Sequence, residues 1–524
     1  FQAEDGIRDA QESRGLGDVY KRQMENLEAV YPTVLAFEDP ERSVLSTKRT
    51  VFLKPQTGTT AVGSTSSIIQ FRLPNTGVMS SCYLRGKIKC GTITAGSDTT
   101  NSFSVGKAVL DPFAPSASWM KRLVVKSSDG TELTNVNQYH RYCSVMNRLK
   151  NDEGWSENQG GILEGTPYDD GEAQIAVCKV AALSGNAADA GATNVDFQPN
   201  ASYNAKRLAG GMTTGSFREF VHEFETGILD QKKLGSSFVL PLGLMGSGMT
   251  VDIHCAAVGE VLRVAPSTAA DYLTGSGLDI HPASAGDVAG YDLEDLELVC
   301  NLTFYPPELM SSLAEKVCGG LKIAYDSVRQ QQNAVAQEDN TVILNTHARS
   351  VKSIIAGVRN SGDAGNIRRE EGEYYKKPTA GGASVKSVQW NIGNENAPSN
   401  PVNFGPTSYK LLTESMKAIY GDEFKMGNQI GSQDYDKSHR ADSAAAGGGG
   451  SGSRVGSALF GINLQSHPEM PNVLSGKSAS AGSINLSCNI SFTGSSASTN
   501  HLETFVITDT VLEILADGGA LVSK

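Results

Sequence analysis

The sequence predicts an all-β chain with a few short helices, arranged as two β sandwiches or barrels in tandem. Three observations carry this. First, Leu296, Leu298, Cys300, Leu302 and Phe304 occupy every second position, with Glu297, Asn301 and Thr303 between them. A period of two marks a strand with one buried face. Second, a junction follows. Pro306 and Pro307 stop the strand, because proline has no N–H for a ladder. Leu309, Met310, Leu313 and Val317 then recur at helical spacing, and Gly319-Gly320 can end that helix in a left-handed conformation. Leu321, Ile323 and Tyr325 restart the period of two. Third, the pattern Tyr291, Leu293, Asp295, Leu298 returns near the C-terminus as Phe505, Ile507, Asp509, Leu512. Each copy follows an alternating stretch, Val251 to Val258 or Ser483 to Phe492, which predicts two related β units of similar size.

A chain of 524 residues has room for two to four domains. Units of roughly 200–270 residues bury about 70–75% of their unfolded surface and need no covalent staples. The 56 glycines, with 39% hydrophobic and 19% charged residues, suit a loop-rich β protein. A net charge of −12 argues against a protein that coats nucleic acid, since phosphate binding needs a positive field. The 8 cysteines include no CxxC, and Cys178, Cys255, Cys300 and Cys488 fall in predicted strands. They read as buried reduced thiols, and the fold as one made in a reducing compartment. No apolar run approaches the ~18 residues of a membrane span, and no signal peptide is evident.

Residues 1–23 lack apolar periodicity and resemble a translated sequencing-adapter read-through. They are set aside as a non-native leader, with Met24 as the expected start. Residues 24–50 are expected to form an N-terminal arm, extended or with a short helix. Ile68 to Leu73 reads as a strand closed by the Pro74-Asn75-Thr76-Gly77 turn, and Tyr83 to Lys89 alternates less cleanly. Met120 to Lys126 is a strand, with Ser127-Ser128-Asp129-Gly130 as its hairpin turn. Val136, Tyr139, Cys143 and Met146 predict a helix over 135–149 with Asn135 as its cap. Residues 150–215 form a long polar excursion holding one strand, Ala173 to Val180. Phe217, Phe220, Phe224 and Ile228, spaced by three and four, predict a short helix. Phe238 to Leu242 reads as a buried strand or its end, Met249 to Val264 as one or two strands, and 265–290 as a loop. After the junction come strands Thr341 to Leu344 and Ser350 to Val358, then a charged loop over 359–385. A strand through Val388, Trp390 and Ile392, a helix from Tyr409 to Tyr420 and a Gly/Ser-rich loop over 421–454 follow. Strands Ala458 to Leu464 and Ile484 to Phe492 precede the last one.

Several of these stretches resemble one family. They are Ala117 through Val125 with the Ser128-Asp129-Gly130 turn and the Tyr139 helix; residues 238–256, with their Pro-Leu-Gly; and residues 291–300. In the second half they are Arg349-Ser350-Val351-Lys352 with the strand to Arg359, Trp390-Asn391-Ile392-Gly393 with Pro398 and Pro401, Leu474-Ser475-Gly476, and Phe505 to Asp509. In this order they resemble the double-jelly-roll major capsid proteins of double-stranded DNA viruses, in particular the virophage and polinton-like groups. The loops over 150–215 and 421–454 depart from the family pattern. The resemblance implies two tandem eight-stranded jelly rolls with long loop insertions, over 51–318 and 319–524. It implies a homotrimer of pseudo-sixfold outline that tiles an icosahedral virion shell, synthesised and assembled inside the host cell. The implied partners are the chain itself, neighbouring trimers, penton and minor capsid proteins, and an internal membrane. No sequence-specific nucleic-acid binding is implied. The acidic balance adds that the inner face contacts a lipid layer or minor proteins rather than packaged DNA.

Enzyme signatures are weak throughout, so no catalytic, cofactor-binding or metal-ligating residue and no cofactor is predicted. His222-Glu223 lacks the second histidine of a zincin, and the 8 histidines are dispersed. No G-x-S-x-G elbow occurs. Gly447 to Gly450 lacks the Lys-Ser/Thr of a phosphate loop and reads as a flexible linker. Glu219, Glu223 and Glu225 read as a solvated helix face rather than paired catalytic acids. Arg368-Arg369 and Lys376-Lys377 are interrupted by three acids and read as a surface salt-bridge loop rather than a DNA or lipid contact. The Asn-x-Ser/Thr sites at Asn200, Asn301, Asn485 and Asn489 lie mostly in strands. The expected function is a structural capsid protein. The alternatives are a carbohydrate-binding or adhesin-type β sandwich, for which 7% aromatic residues is sparse, and a β-sandwich hydrolase, which the missing nucleophile and metal signatures disfavour.

Overall fold

Strands form where apolar side chains alternate and a neighbouring strand can take up the backbone hydrogen bonds. The computed structural model describes residues 46–56, 67–94, 108–111, 114–151, 155, 159–164, 212–246, 248–264, 281–282, 288–318, 320–346, 348–360, 374, 383–393, 395–421, 424–427, 459–467, 474–479, 486–515 and 518–523. The first half runs β1 (Thr47–Leu53), β2 (Ile68–Arg72), β3 (Val78–Cys90), β4 (Ala108–Val109), β5 (Met120–Lys126), β6 (Glu132–Asn137), α1 (Tyr139–Lys150) and α2 (Gln159–Leu163). It continues with β7 (Phe217–Glu223), β8 (Thr250–Cys255), α3 (Val258–Val261), β9 (Arg263–Val264), β10 (His281–Pro282) and β11 (Tyr291–Phe304). Helix α4 (Pro307–Cys318) leads into the second half. That half runs β12 (Leu321–Ala334), β13 (Asp339–Leu344), β14 (Val351–Asn360), β15 (Val385–Ile392), β16 (Glu395–Asn403), α5 (Pro406–Tyr420), β17 (Leu459–Asn463), β18 (Leu486–Phe492), β19 (Asn500–Ile514) and β20 (Ala520–Ser523).

The sheet orders are β1-β11-β3-β7 and β2-β8-β5-β6 in the first half, and β12-β19-β14-β17 and β13-β18-β15-β16 in the second. The two-residue strands β4, β9 and β10 form a small sheet of their own, and β20 adds to β19. With those set aside, both halves follow one rule. The first strand pairs with the eighth, the eighth with the third and the third with the sixth; the second pairs with the seventh, the seventh with the fourth and the fourth with the fifth. All these pairings are antiparallel. That connectivity makes each half an eight-stranded jelly roll, two sheets face to face. A helix joins the fifth strand to the sixth in both: α1 in one, α5 in the other.

The cores lie between the sheets. Ile69, Phe71, Leu123, Val125, Val251 and Ile253 from one sheet of the first barrel meet Cys82, Leu84, Ile88, Leu298, Cys300 and Leu302 from the other. Val342, Ile354, Val388, Trp390, Phe460, Ile490 and Val506 build a separate core in the second barrel. The first core does not stop at its own barrel. It continues through Tyr325, Leu412, Met416, Phe505 and Ile507 of the second. Residues Thr47–Lys524 accordingly form one compact unit.

The structure corrects several expectations. Phe217–Glu223 is a strand paired with β3, not a helix. Phe220, His222 and Phe224 are the buried residues, so the true period is two, and exposed Phe217 supplied a false helical spacing. The helix predicted over 135–149 begins at Tyr139; Asn135 lies in β6 opposite Val124 and caps nothing. Left-handed Gln138 makes the turn between strand and helix. Phe238 to Leu242 makes only isolated bridges, Leu240 with Met79 and Phe238 with Leu234. The repeated pattern does fall on the eighth strand of each barrel, but at the start of β11 and the middle of β19. Asp295 is exposed at a bulge, whereas Asp509 is buried. Strands β1, β16 and β20 had not been expected. The expected strand Ala173 to Val180, the leader 1–23 and the arm up to residue 45 lie outside the described residues.

Because the first core runs into the second barrel, the two should unfold together. Trp390 is 2% exposed and packs on Phe460 with ring centroids 6.0 Å apart. Trp390→Ala should cost about 3–5 kcal/mol. Calorimetry should show one transition moved to lower temperature; a second-barrel transition separating from an unmoved first would disprove the coupling.

Candidate functional site: the seam between the barrels

Two barrels on one chain can act as one rigid block only if the contact between them is specific. On the first barrel the contact is made by β6, α1 and residues 224–235; on the second by β12, β14, β19 and α5. Both β6 and β12 are edge strands of their sheets. The Tyr325 hydroxyl donates to the Leu133 carbonyl across them. Packing edge against edge shields backbone that would otherwise pair with another chain.

Asp326 on β12 is the centre of the contact. Its carbonyl accepts the Gly227 N–H at 2.9 Å and the Thr226 hydroxyl at 3.4 Å. Its carboxylate Oδ1 lies 3.1 Å from Lys233 Nζ of the first barrel and 3.0 Å from Lys352 Nζ of the second. Burial pushes the Asp326 pKa up, but Lys352 and Lys233 outweigh it and hold the carboxyl below its ordinary range. Lys352 is wholly buried in β14 and also lies 3.7 Å from Asp509, which accepts the Ser350 hydroxyl at 2.6 Å. Gly227 has φ +85°, and a Cβ there would stand 2.5 Å from the Thr134 methyl, so only glycine fits this approach.

A second ionic group lies beside it. Glu225 pairs with Lys150 at the end of α1, with Lys232 at 3.9 Å, and accepts the Tyr420 hydroxyl of α5 at 3.4 Å. Burial would raise its pKa; Lys150 and Lys232 reverse that and lower it to about 2. Lys232 also sits 4.4 Å over the Tyr420 ring. Further along, buried Glu503 of β19 takes Arg141 of α1 at 3.4 Å, Gln330 at 2.8 Å and the Tyr374 hydroxyl at 2.8 Å. Tyr142 packs on Phe505 with centroids 5.7 Å apart. Asp129, at the tip of the β5–β6 hairpin, accepts the Ala520 N–H of β20 at 3.1 Å.

His222 belongs to a buried relay behind this seam. Tyr139 Oη accepts the Glu225 N–H at 3.0 Å and lies 3.0 Å from His222 Nε2. Ser116 Oγ lies 2.9 Å from Nδ1 and donates to Glu164 at 3.1 Å. The neutral ring is thus held at both nitrogens, Nδ1 by Ser116 and Nε2 by Tyr139. Burial lowers the His222 pKa to about 4.

His222 and Glu223 point to opposite faces of β7, buried and exposed. Glu219 and Glu223 are exposed on that strand rather than on a helix, and Glu225 is buried in the seam, so the three do not form one solvated face. Asn301 and Asn489 sit in cross-strand side-chain pairs with Thr50 and Thr341. Asn200, Asn485, Gly447 to Gly450, Arg368-Arg369 and Lys376-Lys377 lie outside the described residues. Among the described residues no cluster of three or more His, Cys, Asp or Glu is placed to hold a metal. On the outer face of the first sheet, exposed Phe52 and Phe217 are each covered by a cation, Arg85 at 4.5 Å and Lys87 at 5.0 Å. Sequence reasoning missed Lys150, Lys232, Lys233, Asp326 and Lys352 as a group. The one local signal was Lys352, a charge inside the apolar run Val351 to Val358.

Removing one partner from a buried charge network strands the others. Lys352→Met should lower stability by about 3–5 kcal/mol in denaturant titration, and adding Asp509→Asn should recover part of the loss. A neutral effect of Lys352→Met would rule out its role as the shared cation. The His222 ring, with a pKa near 4 in the fold against 6.5 free, favours the fold above pH 6.5 and loses that contribution as pH falls from 6.5 to 4. Asp230 works in the opposite sense: burial raises its pKa to about 6, so it favours the fold as pH falls below that value. Between pH 7 and 4.5 the melting temperature of His222→Gln should therefore fall less than that of the wild type, by up to about 3 kcal/mol of stability. Equal falls would show that the folded ring takes up its proton as readily as the unfolded one.

Comparison with known proteins places this geometry. No family model matches the sequence, and no curated protein matches it. Among solved structures, the PBCV-1 virus capsid superimposes with a TM-score of 0.52 at 8% identity, covering 93% of this chain and 99% of that one. The Faustovirus major capsid protein gives a TM-score of 0.52 at 11% identity, covering 91% of this chain and 92% of that one. The chain thus has the tandem double-jelly-roll fold of viral major capsid proteins.

Proposed function

We propose that this chain is the major capsid protein of a double-stranded DNA virus, of the virophage or polinton-like kind. It is a structural protein without catalytic chemistry. Three copies form a homotrimer of hexagonal outline, and trimers tile an icosahedral shell. The observation that carries this reading is the repetition of one eight-strand connectivity twice on one chain. Two barrels per chain and three chains per ring supply six similar corners. We assign residues 24–46 to an arm, 47–318 to the first barrel, whose first strand is β1, and 319–524 to the second. The ionic seam supports the reading, because a shell tile must hold its two barrels at one angle under load. Penton and minor capsid proteins are the further partners, and the protein resides in the virion after assembly in the host cell. With a net charge of −12 per chain, the inner face suits a lipid layer or minor proteins better than DNA.

Light scattering on the purified protein should give three times the 55.4 kDa chain mass. Negative-stain images should show threefold particles with hexagonal outlines. A monodisperse monomer at high concentration would overturn the proposal.

A further inference from the structure

Strands β3 and β11 are the middle strands of the first sheet, and Cys82 stands directly opposite Cys300 in their ladder. Both side chains are fully buried inside the barrel, with their sulfurs 3.7 Å apart. The hydrogen-bond pattern fixes the kind of pair this is. A strand residue aims its N–H and C=O toward the same neighbour. Cys90, on the same side of β3, bonds through both groups to Ser216 and Gly215 at the start of β7. The Cys82 carbonyl faces that way too, accepting Gln231 Nε2 where β7 has ended. Cys82 and Cys300 are therefore a non-hydrogen-bonded pair, the kind whose Cα atoms come within about 4.5 Å and whose side chains lie closest. That separation is within the range a disulfide spans, roughly 4.4–6.8 Å.

We propose that Cys82 and Cys300 are a redox pair, closing into a cross-strand disulfide when the protein meets a low-molecular-weight disulfide such as oxidised glutathione. The Cys82 thiolate attacks one glutathione sulfur, and the other glutathione leaves as thiolate and takes a proton. The Cys300 thiolate then attacks the Cys82 sulfur of the mixed disulfide, expelling the second glutathione, which takes the other proton. The protein loses two electrons and two protons; the small disulfide becomes two thiols. Contact with Cys300 and burial both raise the Cys82 pKa. Thiolate is thus scarce, and closure is slow unless the sheet opens transiently. The bond would join residues 218 apart in sequence and tie together the two central strands. The inference does not depend on the shell reading.

The test uses the full chain, purified under reductant and moved into oxidised glutathione, with a second sample refolded from denaturant in the same buffer. Free thiols are then alkylated under denaturing conditions and the protein digested for mass spectrometry. The expected product is a peptide pair joining Cys82 to Cys300, cleaved by dithiothreitol, with Cys90, Cys143, Cys255 and Cys488 recovered alkylated. The oxidised protein should melt roughly 5 °C or more above the reduced one. Cys82→Ala and Cys300→Ala should each abolish the linked peptide. Recovery of both residues alkylated in both samples, or pairing of either with another cysteine or with glutathione alone, would overturn the proposal.

Discussion

A charge removed from water must be paired before its burial is tolerable, and Asp326 is where that constraint governs this molecule. One residue serves both barrels. Its main chain anchors the first barrel's loop at Gly227, while its carboxylate gathers one lysine from each barrel. Neither barrel alone satisfies it. Without the first, Asp326 loses Lys233 and the two donors to its carbonyl; without the second, Lys233 loses its carboxylate. The barrels are thus incomplete without each other, which explains why the first core runs on into Phe505 and Ile507 rather than ending at a solvated face.

The same contact deals with exposed strand edges. The edges β6 and β12 face each other in the seam. Other edges are blunted by their own sequence. β16 carries Pro398 and Pro401, which cannot donate to an incoming strand. β1 carries Lys48 and Arg49 and is mostly exposed. The outer face of the first sheet is tied across its strands by ion pairs, Arg85 with Glu297, Lys87 with Asp295 and Lys89 with Glu294. Exposed pairs of this kind add little stability each; what they do is set the register of neighbouring strands and discourage outside pairing.

How legible this was in the sequence follows from which signals are local. The strands with one wet and one dry face, such as β11 and β18, could be read because alternation is written in adjacent residues. Strands β1 and β16 could not: both are mostly exposed edges without a sustained apolar alternation, held by a partner hundreds of residues or one turn away. β7 was misread because the exposed Phe217 lined up with Phe220 and Phe224 at helical spacing, and buried His222 did not count as apolar. The seam was the least legible part. Glu225, Lys232 and Lys233 sit in a polar stretch that looks solvated, and only the fold brings Asp326, more than ninety residues on, against them. The resemblance to capsid proteins supplied the twofold repetition of eight strands, which periodicity alone left as sandwich or barrel.

The two barrels share one connectivity but are not interchangeable, and the reason is again electrostatic. Each has a helix between its fifth and sixth strands. In the first barrel that helix, α1, is buried almost throughout, sending Arg141 to Glu503 and Lys150 to Glu225. In the second, α5 packs on β14 and β17 of its own barrel, burying Leu412 and Met416, and reaches the seam with Tyr420. An apolar seam between two such similar bodies could slide by a residue at small cost, since hydrophobic contact has no direction. Paired charges allow no such slippage, because each step would leave Asp326, Glu225 or Glu503 unpaired in a dry interior. The seam therefore fixes one orientation out of many that shape alone would permit.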